Sequence, residues 1–403
     1  MVTDQALDKI PMAINSILKP FAMQTIIIKK LTFLSLILIF NSCRHVEKNP
    51  FWGDGLEKFE VQTVFEGERF PNVVVAMDGS VIATWGNNTY QVRRSEDGGG
   101  SWGPVITVAD PGFHGGGVTV DENSGAIFAF VEEGHPVAPL TVYKSTDHGK
   151  SWFEHDVVIH PDLKGNVPSM HMNERGITLK YGEHAGRLIR PARSYAGGNQ
   201  REFWPEHYTN AIYSDDGGDT WHTSDPFPAN GTGEATLEEL SDGRIYYNSR
   251  RHLSTDGLNP RMRYIAWSHD GGHTWVDMSL SDELPDGDQG NDYGLMAGLV
   301  RLPVDGHDIL IYSNIDSPSG RTRGTVWASF DGGKTWPVKR LVEEGGFAYS
   351  SMAAGREGTP GEGWIYLMYE RGGHPDTKAY LARLNLAWIT GGHDWREFLP
   401  AVQ

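Results

Sequence analysis

An eight-residue pattern, Ser-x-Asp-x-Gly-x-Ser/Thr-Trp, occurs five times, at residues 95–102, 145–152, 214–221, 268–275 and 329–336. A carboxylate returning in a fixed frame raises metal binding first, because calcium takes its ligands from oxygen. The residues around each aspartate argue instead for a turn. Asp in a tight turn accepts hydrogen bonds from nearby backbone N–H groups, and the Gly after it permits positive φ. Ser or Thr adds a local polar contact, and Trp packs as an anchor between neighbouring sheets. Each copy, or box, therefore reads as a folding staple at a hairpin turn rather than a ligand or calcium site. The other Asp and His residues form no ligand cluster of recognisable spacing, so no metal or organic cofactor is implied.

The elements that must position any further chemistry are strands. Successive boxes lie roughly 50–70 residues apart, a spacing suited to one propeller blade. Apolar or alternating segments of strand length surround them, at 73–76, 81–85, 126–131, 211–214, 245–248, 309–313 and 364–369. The chain has 49 Gly and 13 Trp, a composition suited to short strands and tight turns. The expected fold is all-β and closed on itself. Five boxed blades leave strands at both ends, 59–65 at the start and 366–370 with 380–386 at the finish, and these would close a sixth. The expectation is a six-bladed β-propeller over residues 55–403.

The formal charge is −17. This argues against a nucleic-acid binder, which would show a basic stripe. An anionic substrate would need a local cluster of cations against an unfavourable overall field. The single cysteine, Cys43, rules out an intrachain disulfide. Ahead of it lie Lys29 and Lys30, then an apolar run over 31–40, then Asn41 and Ser42. The run is too short to span a bilayer. This segment resembles a bacterial lipoprotein signal, in which a small residue before the cysteine permits cleavage and the thiol is acylated. The resemblance makes Met23 the expected start, with 1–22 an extension ahead of it. It makes 23–42 the signal and 43–54 a linker after the lipidated cysteine. It implies an exported protein held at the periplasmic or outer surface of a Gram-negative cell by a lipid on Cys43, its only membrane contact. The oligomeric state stays open.

Between the boxes runs an ordered set of short motifs. Arg69-Phe70-Pro71 precedes the first box. Gly231-Thr232-Gly233-Glu234 and Asn248-Ser249-Arg250 follow the third. Ser313-Asn314 with Arg321, and Arg323 as a competitor, lead into the fifth. Ala348-Tyr349-Ser350 and Tyr369-Glu370 come after it. In this order and interleaved with the boxes, the set resembles the exo-sialidase (neuraminidase) family across almost the whole chain beyond the signal. The resemblance implies an arginine triad of Arg69, Arg250 and Arg321. It implies Tyr349 as nucleophile, Glu234 as its base, and Glu370 as the carboxylate that orients Arg69.

The chemistry implied is coherent. Sialic acid is a 2-keto sugar acid, and guanidinium groups bind its carboxylate with planar, paired hydrogen bonds. A neutral tyrosine avoids the repulsion that a carboxylate nucleophile would meet. A phenol with a pKa of about 10 needs an adjacent base. Retaining hydrolysis of sialylated or other acidic glycans is the expectation. The chain departs from the family first at the general acid/base. The segment 83–94, where the family carries an aspartate as general acid/base, contains no Asp or Glu. Asp288, Asp292, His114, His171, Glu174, Glu132 and Glu133 are the replacements the sequence offers. The Gly-rich run 113–117 and the added cation Arg193 leave the acid sugar open. Two other functions stand beside this one: a propeller enzyme acting on uronic-acid polysaccharides, and a sialoglycan-binding lipoprotein without turnover.

Overall fold

Strands of two to ten residues separated by Gly-rich turns stack as radial sheets in a computed structural model. It describes residue 52 and residues 56–114, 116–253, 257–288, 294–304, 306–372 and 377–400. The lipoprotein signal, Cys43 and Asp292 lie outside the described residues, as does the side chain of His114.

The described residues form six sheets, the six blades of a propeller. Blade 1 runs outward as Asn72–Val75, Val81–Trp85, Tyr90–Ser95 and Ile106–Ala109. In blade 2, Phe113–His114 and Thr119–Val120 both pair with Ile127–Glu132, followed by Leu140–Ser145 and Phe153–Glu154. Blade 3 comprises Ile177–Thr178, Leu188–Ser194, Tyr208–Ser214 and Thr220–Thr223, with Val158–Ile159 added in parallel at the edge. Blade 4 comprises Thr232–Glu239, Ile245–Arg251, Met262–Ser268 and Val276–Pro285. Blade 5 comprises Gly298–Arg301, Leu310–Ile315, Thr322–Ser329 and Val338–Gly346. Blade 6 takes Ala348–Ala354, Ile365–Arg371 and Lys378–Leu384 from the end of the chain. Its outer strand, Phe59–Glu66, comes from the beginning, antiparallel with Phe59 opposite Leu384. The closure expected from the leftover strands is the one observed.

Each box turns the chain between the third and fourth strands of blades 1 to 5. Its tryptophan packs into the interface with the preceding blade. Trp221, fully buried, sits with Phe128 and Phe130 of blade 2 and Leu188 and Ile212 of its own blade 3. Blade 6 joins its third and fourth strands through the chain termini, so it has no turn there to carry a box. Its interface with blade 5 is filled differently. Leu386–Ile389 forms a short helix capped by the Asn385 side chain, which accepts from Trp388 N. The expected strand at 380–386 therefore ends at Leu384. An Asn at the N-cap satisfies a helical N–H that a strand would have used in the sheet. Trp388, Trp395 and Phe398 then pack with Ile309, Ala328 and Phe330 in one core cluster.

The innermost strands enclose the axis and are tied across blades by hydrogen bonds. Val73 N donates to Ser351 Oγ (3.0 Å), Val118 N to Asn72 Oδ1 (3.2 Å), Glu174 N to Ala235 O (2.9 Å) and Ser350 N to Met296 O (3.0 Å). These strands are covered on both faces, so a run such as Asn72–Val75 is buried throughout and needs no alternation. The starts of the inner strands form one mouth of the propeller. Their far ends line a polar cavity of about 440 Å³ at the other mouth, among Arg175, Glu238, Glu239 and Arg301.

Candidate active site

Arg69, at the first mouth, immediately precedes Phe70, whose φ of 68° is left-handed. That conformation is costly for a residue with a Cβ, and it is held by its surroundings. Phe70 N donates to Glu370 Oε2 (3.2 Å), while Gly86 N donates to Arg69 O (2.9 Å). The same Glu370 receives Arg69 through Nη2 (2.6 Å) and Nε (3.2 Å) on Oε1. Glu370 is buried and lies opposite Ala348 in blade 6, so the pairing of two strands places it one residue from Tyr349. Burial pulls the Arg69 pKa down, but Glu370 and Tyr349 outweigh it and leave a net rise, with Arg321 opposing.

Tyr349 lies between two guanidiniums. Arg69 Cζ is 5.3 Å and Arg321 Cζ 4.9 Å from its ring centre. Phe70 packs edge-on at 5.6 Å. Among the described residues, no hydrogen bond is made to the Tyr349 hydroxyl. Arg321 is fixed through Nη2 to Gly294 O (3.2 Å), and its own carbonyl accepts from Phe347 N (3.0 Å). Arg323 turns the other way and pairs with Glu344 at 2.6 Å on the surface. Of the two candidates for that position, Arg321 is therefore the one at the tyrosine.

Glu234 and Arg250 form a buried ion pair of their own in blade 4, joined through Oε2 and Nη1. The register between Thr232–Glu239 and Ile245–Arg251 shifts between Thr232 and Ala235, at the position of Glu234. The pair is not hydrogen-bonded to Tyr349. Asp286 lies in the field of Arg250, and its oxygens stand where a Cβ on Gly294 would be. The structure thus brings Arg69, Arg321, Tyr349 and Glu370 into one group, with Glu234 and Arg250 as a second group beside it.

The candidates for the absent aspartate are placed unevenly. The turn over 86–89 is closed by Glu68, whose Oε2 accepts from Asn87 N and Asn88 N at 2.9 Å. Glu132 is buried against Ser169 Oγ (2.6 Å) with Oε2 unpartnered, and burial raises its pKa to about 7. Glu174 lies on the axis beneath the tyrosine strand, raised by burial to about 8. Glu133 is exposed, and Asp288 is buried near Arg261. His171 is buried against Phe70 and Phe113, with ring centres 5.6 and 4.7 Å away.

Sequence reasoning passed over three histidines near the site. His135 packs on His171 at 4.7 Å, and His207 and His252 flank Arg193. Their only signal was position, in loops that precede or follow blade strands on the site face.

The BNR repeat-like domain family matches residues 85–361. The sialidase of Micromonospora viridifaciens is 31% identical over 371 residues, which cover 81% of this chain and 53% of that protein. The chain belongs to the sialidase family with BNR repeats. It spans about half the length of that relative. The anhydrosialidase of Macrobdella decora is 29% identical over 59% of this chain and 30% of its own length. Among solved structures, a leech intramolecular trans-sialidase with 2,7-anhydro-Neu5Ac superposes with a TM-score of 0.65. It is 16% identical and covers 83% of this chain and 71% of that one. A Hadza microbial sialidase superposes at 0.62, with 24% identity over 80% of this chain and 66% of that one. These superpositions bear on the fold, which is the family's propeller.

Proposed function

We propose that this chain is an exo-glycosidase that releases a terminal sialic acid, or a related ulosonic acid, from glycans with retention at the anomeric carbon. The observation that carries the proposal is the Tyr349 ring between the guanidiniums of Arg69 and Arg321, with Glu370 as counter-charge. Two forked cations over a phenol suit a substrate whose reacting carbon bears a carboxylate. Arg250 completes the triad. Tyr349 attacks the anomeric carbon as Glu234 takes the phenol proton; the bond to the glycosidic oxygen breaks, and the aglycone leaves as an alcohol with a proton from water. Water then attacks the same carbon, freeing the sugar and returning a proton to the phenol. The kinship to sialidases supports the substrate class.

The cellular setting follows from the sequence alone. The protein is exported and anchored by a lipid on Cys43, and mass spectrometry of the mature N-terminus checks this. An unmodified Cys43 in membrane extracts would sink it.

The test of activity uses the full chain with a fluorogenic sialoside, sialylated glycans and uronate polysaccharides, beside Tyr349→Phe. Release of free keto acid by wild type but not by the variant is expected. Equal release by both removes Tyr349 from the reaction. An unsaturated product absorbing in the ultraviolet would favour uronate elimination, and binding without turnover would favour a lectin-like role.

A further inference from the structure

Most cations around this mouth arrive with a counter-charge. Arg69 has Glu370, Arg250 has Glu234, and Arg263 has Asp286 at 2.7 Å. Arg193, at the end of Leu188–Ser194 in blade 3, differs from these three. It is buried, with 3% exposure, yet no carboxylate of the described residues lies within ion-pair distance. Its Nη2 faces His207 Nδ1 at 3.3 Å and His252 Nδ1 at 3.1 Å, and the guanidinium lies 4.3 Å over the Tyr195 ring.

Both imidazoles act here as neutral acceptors. His207 Nε2 meets the Gly198 carbonyl at 2.8 Å, so that nitrogen carries the proton and Nδ1 is left to accept from Arg193. Burial, then the Arg193 charge, lowers the His207 pKa to about 4. Burial, Arg250 and Arg193 push His252 down as well, and its ring is stacked on Trp204 at 4.6 Å. Glu132 lies in the field of Arg193 but is itself pushed toward its neutral form by burial.

The remaining N–H groups of Arg193 are not used by the two histidines. Nε is buried without a partner. Nη1 makes no hydrogen bond among the described residues. It lies 3.7 Å from where a Cβ would stand on Gly233, the neighbour of Glu234. A side chain at that position would occupy this corner, and glycine keeps it clear. The cluster already offers neutral acceptors to the guanidinium. What it lacks among the described residues is a carboxylate within ion-pair distance, and a buried cation without one is costly.

We propose that Arg193 recognises a second negative charge on the substrate, an oxyanion group carried by the part of the sugar that faces blades 3 and 4. This rests on the acid-sugar reading above. A bidentate guanidinium suits sulfate, phosphate or carboxylate oxygens alike.

The test compares a fluorogenic sialoside with the same compound bearing a sulfate ester on its exocyclic arm, using the full chain. In wild type, kcat/KM for the sulfated compound exceeds that for the plain one by roughly ten- to a hundredfold, the scale of hydrogen bonds to charged groups. In Arg193→Gln the ratio falls to about one. In Arg193→Lys it falls part of the way, because charge remains and the fork is lost. A wild-type ratio of one or less, or a ratio unchanged in either variant, overturns the proposal. A second readout is independent of turnover. Inorganic sulfate should shift the imidazole proton resonances of His207 and His252 in wild type but not in Arg193→Gln. If sulfate moves neither in wild type, the proposal falls even when sialosides are cleaved. If sulfate binds and no sialoside is cleaved, the oxyanion site stands and the acid-sugar reading falls.

Discussion

Carboxylates in the box turns and carboxylates near the axis meet opposite fates. Asp147 in the second box accepts from Ser145 Oγ, Lys150 N, Ser151 N and Ser151 Oγ at 2.6–3.0 Å. Partial burial opposes its ionisation, but these four donors outweigh it and hold its pKa down at about 2. Glu174 on the axis accepts from Ser351 Oγ (2.6 Å) and Asn72 Nδ2 (3.2 Å) on one oxygen, while the other has no partner. Burial dominates there and the pKa rises to about 8. The functional group is the same, and the supply of donors against the loss of water decides its state. A carboxylate surrounded by donors within its own turn is a finished structural part. The chemical options of the fold therefore sit where pairing is incomplete, at the axis and the mouth above it.

Two substitutions separate the regions most sharply. On the proposed mechanism, Tyr349→Phe should lower kcat/KM about 10³-fold or more, as loss of a nucleophile does. It should leave the melting temperature unchanged, because the hydroxyl makes no hydrogen bond among the described residues. Trp221→Ala removes a fully buried ring between blades 2 and 3. It should cost about 3–5 kcal/mol in denaturant unfolding while kcat per folded molecule stays near wild type. A stable Trp221→Ala protein with a collapsed kcat would break the division between staple and site.

The division was partly legible in the chain itself. Five boxes and their spacing imply blades, and the strands left over at both ends imply closure by the termini. The site was legible as an ordered set of short motifs, down to the ambiguity between Arg321 and Arg323. What resolves that ambiguity is strand geometry beyond the reach of residue types. Arg321 lies over Tyr349, and Arg323 turns out to Glu344. The Arg193 cluster was illegible because its members come from separate segments, at 193, 207, 233 and 252, and nothing local marks His207 as neutral. The helix at Leu386–Ile389 was missed because an apolar run of strand length reads alike in either form.

The axial carboxylate gives the third test. The folded pKa of Glu174 is raised to about 8 from an ordinary value near 4.5. The folded state therefore holds a proton that the unfolded state releases between those values. The stability tied to that proton is complete below about pH 4.5 and is lost as pH rises toward 8. Glu174→Gln stays neutral throughout and can still accept from Ser351. Its unfolding free energy should depend less steeply on pH over this window, and by pH 8 it should exceed wild type by about 1–3 kcal/mol. Parallel curves for the two proteins would show that Glu174 is ionised in the fold, contrary to its unpartnered oxygen.

The smallest effect belongs to the boxes and carries the opposite sign. Asp147 has a folded pKa below its ordinary value, so its contribution is present at neutral pH and disappears as acid protonates it between about pH 4 and 2. Asp147→Asn keeps an acceptor oxygen for the three donors on Oδ1 and loses the charge, together with the acceptor that Oδ2 offers Ser151 Oγ, whose hydroxyl can turn to accept from the amide instead. Solvent screens that charge, so a loss of only about 1 kcal/mol at pH 7 is expected. The loss should shrink to nothing near pH 2, with kcat/KM on the sialoside unchanged. The two carboxylates should therefore move stability in opposite directions with pH, although both lie in the same propeller. If Asp147→Asn instead altered turnover, the box would have a hand in the chemistry, and the contrast between donor-rich turn and donor-poor axis would no longer mark where function sits.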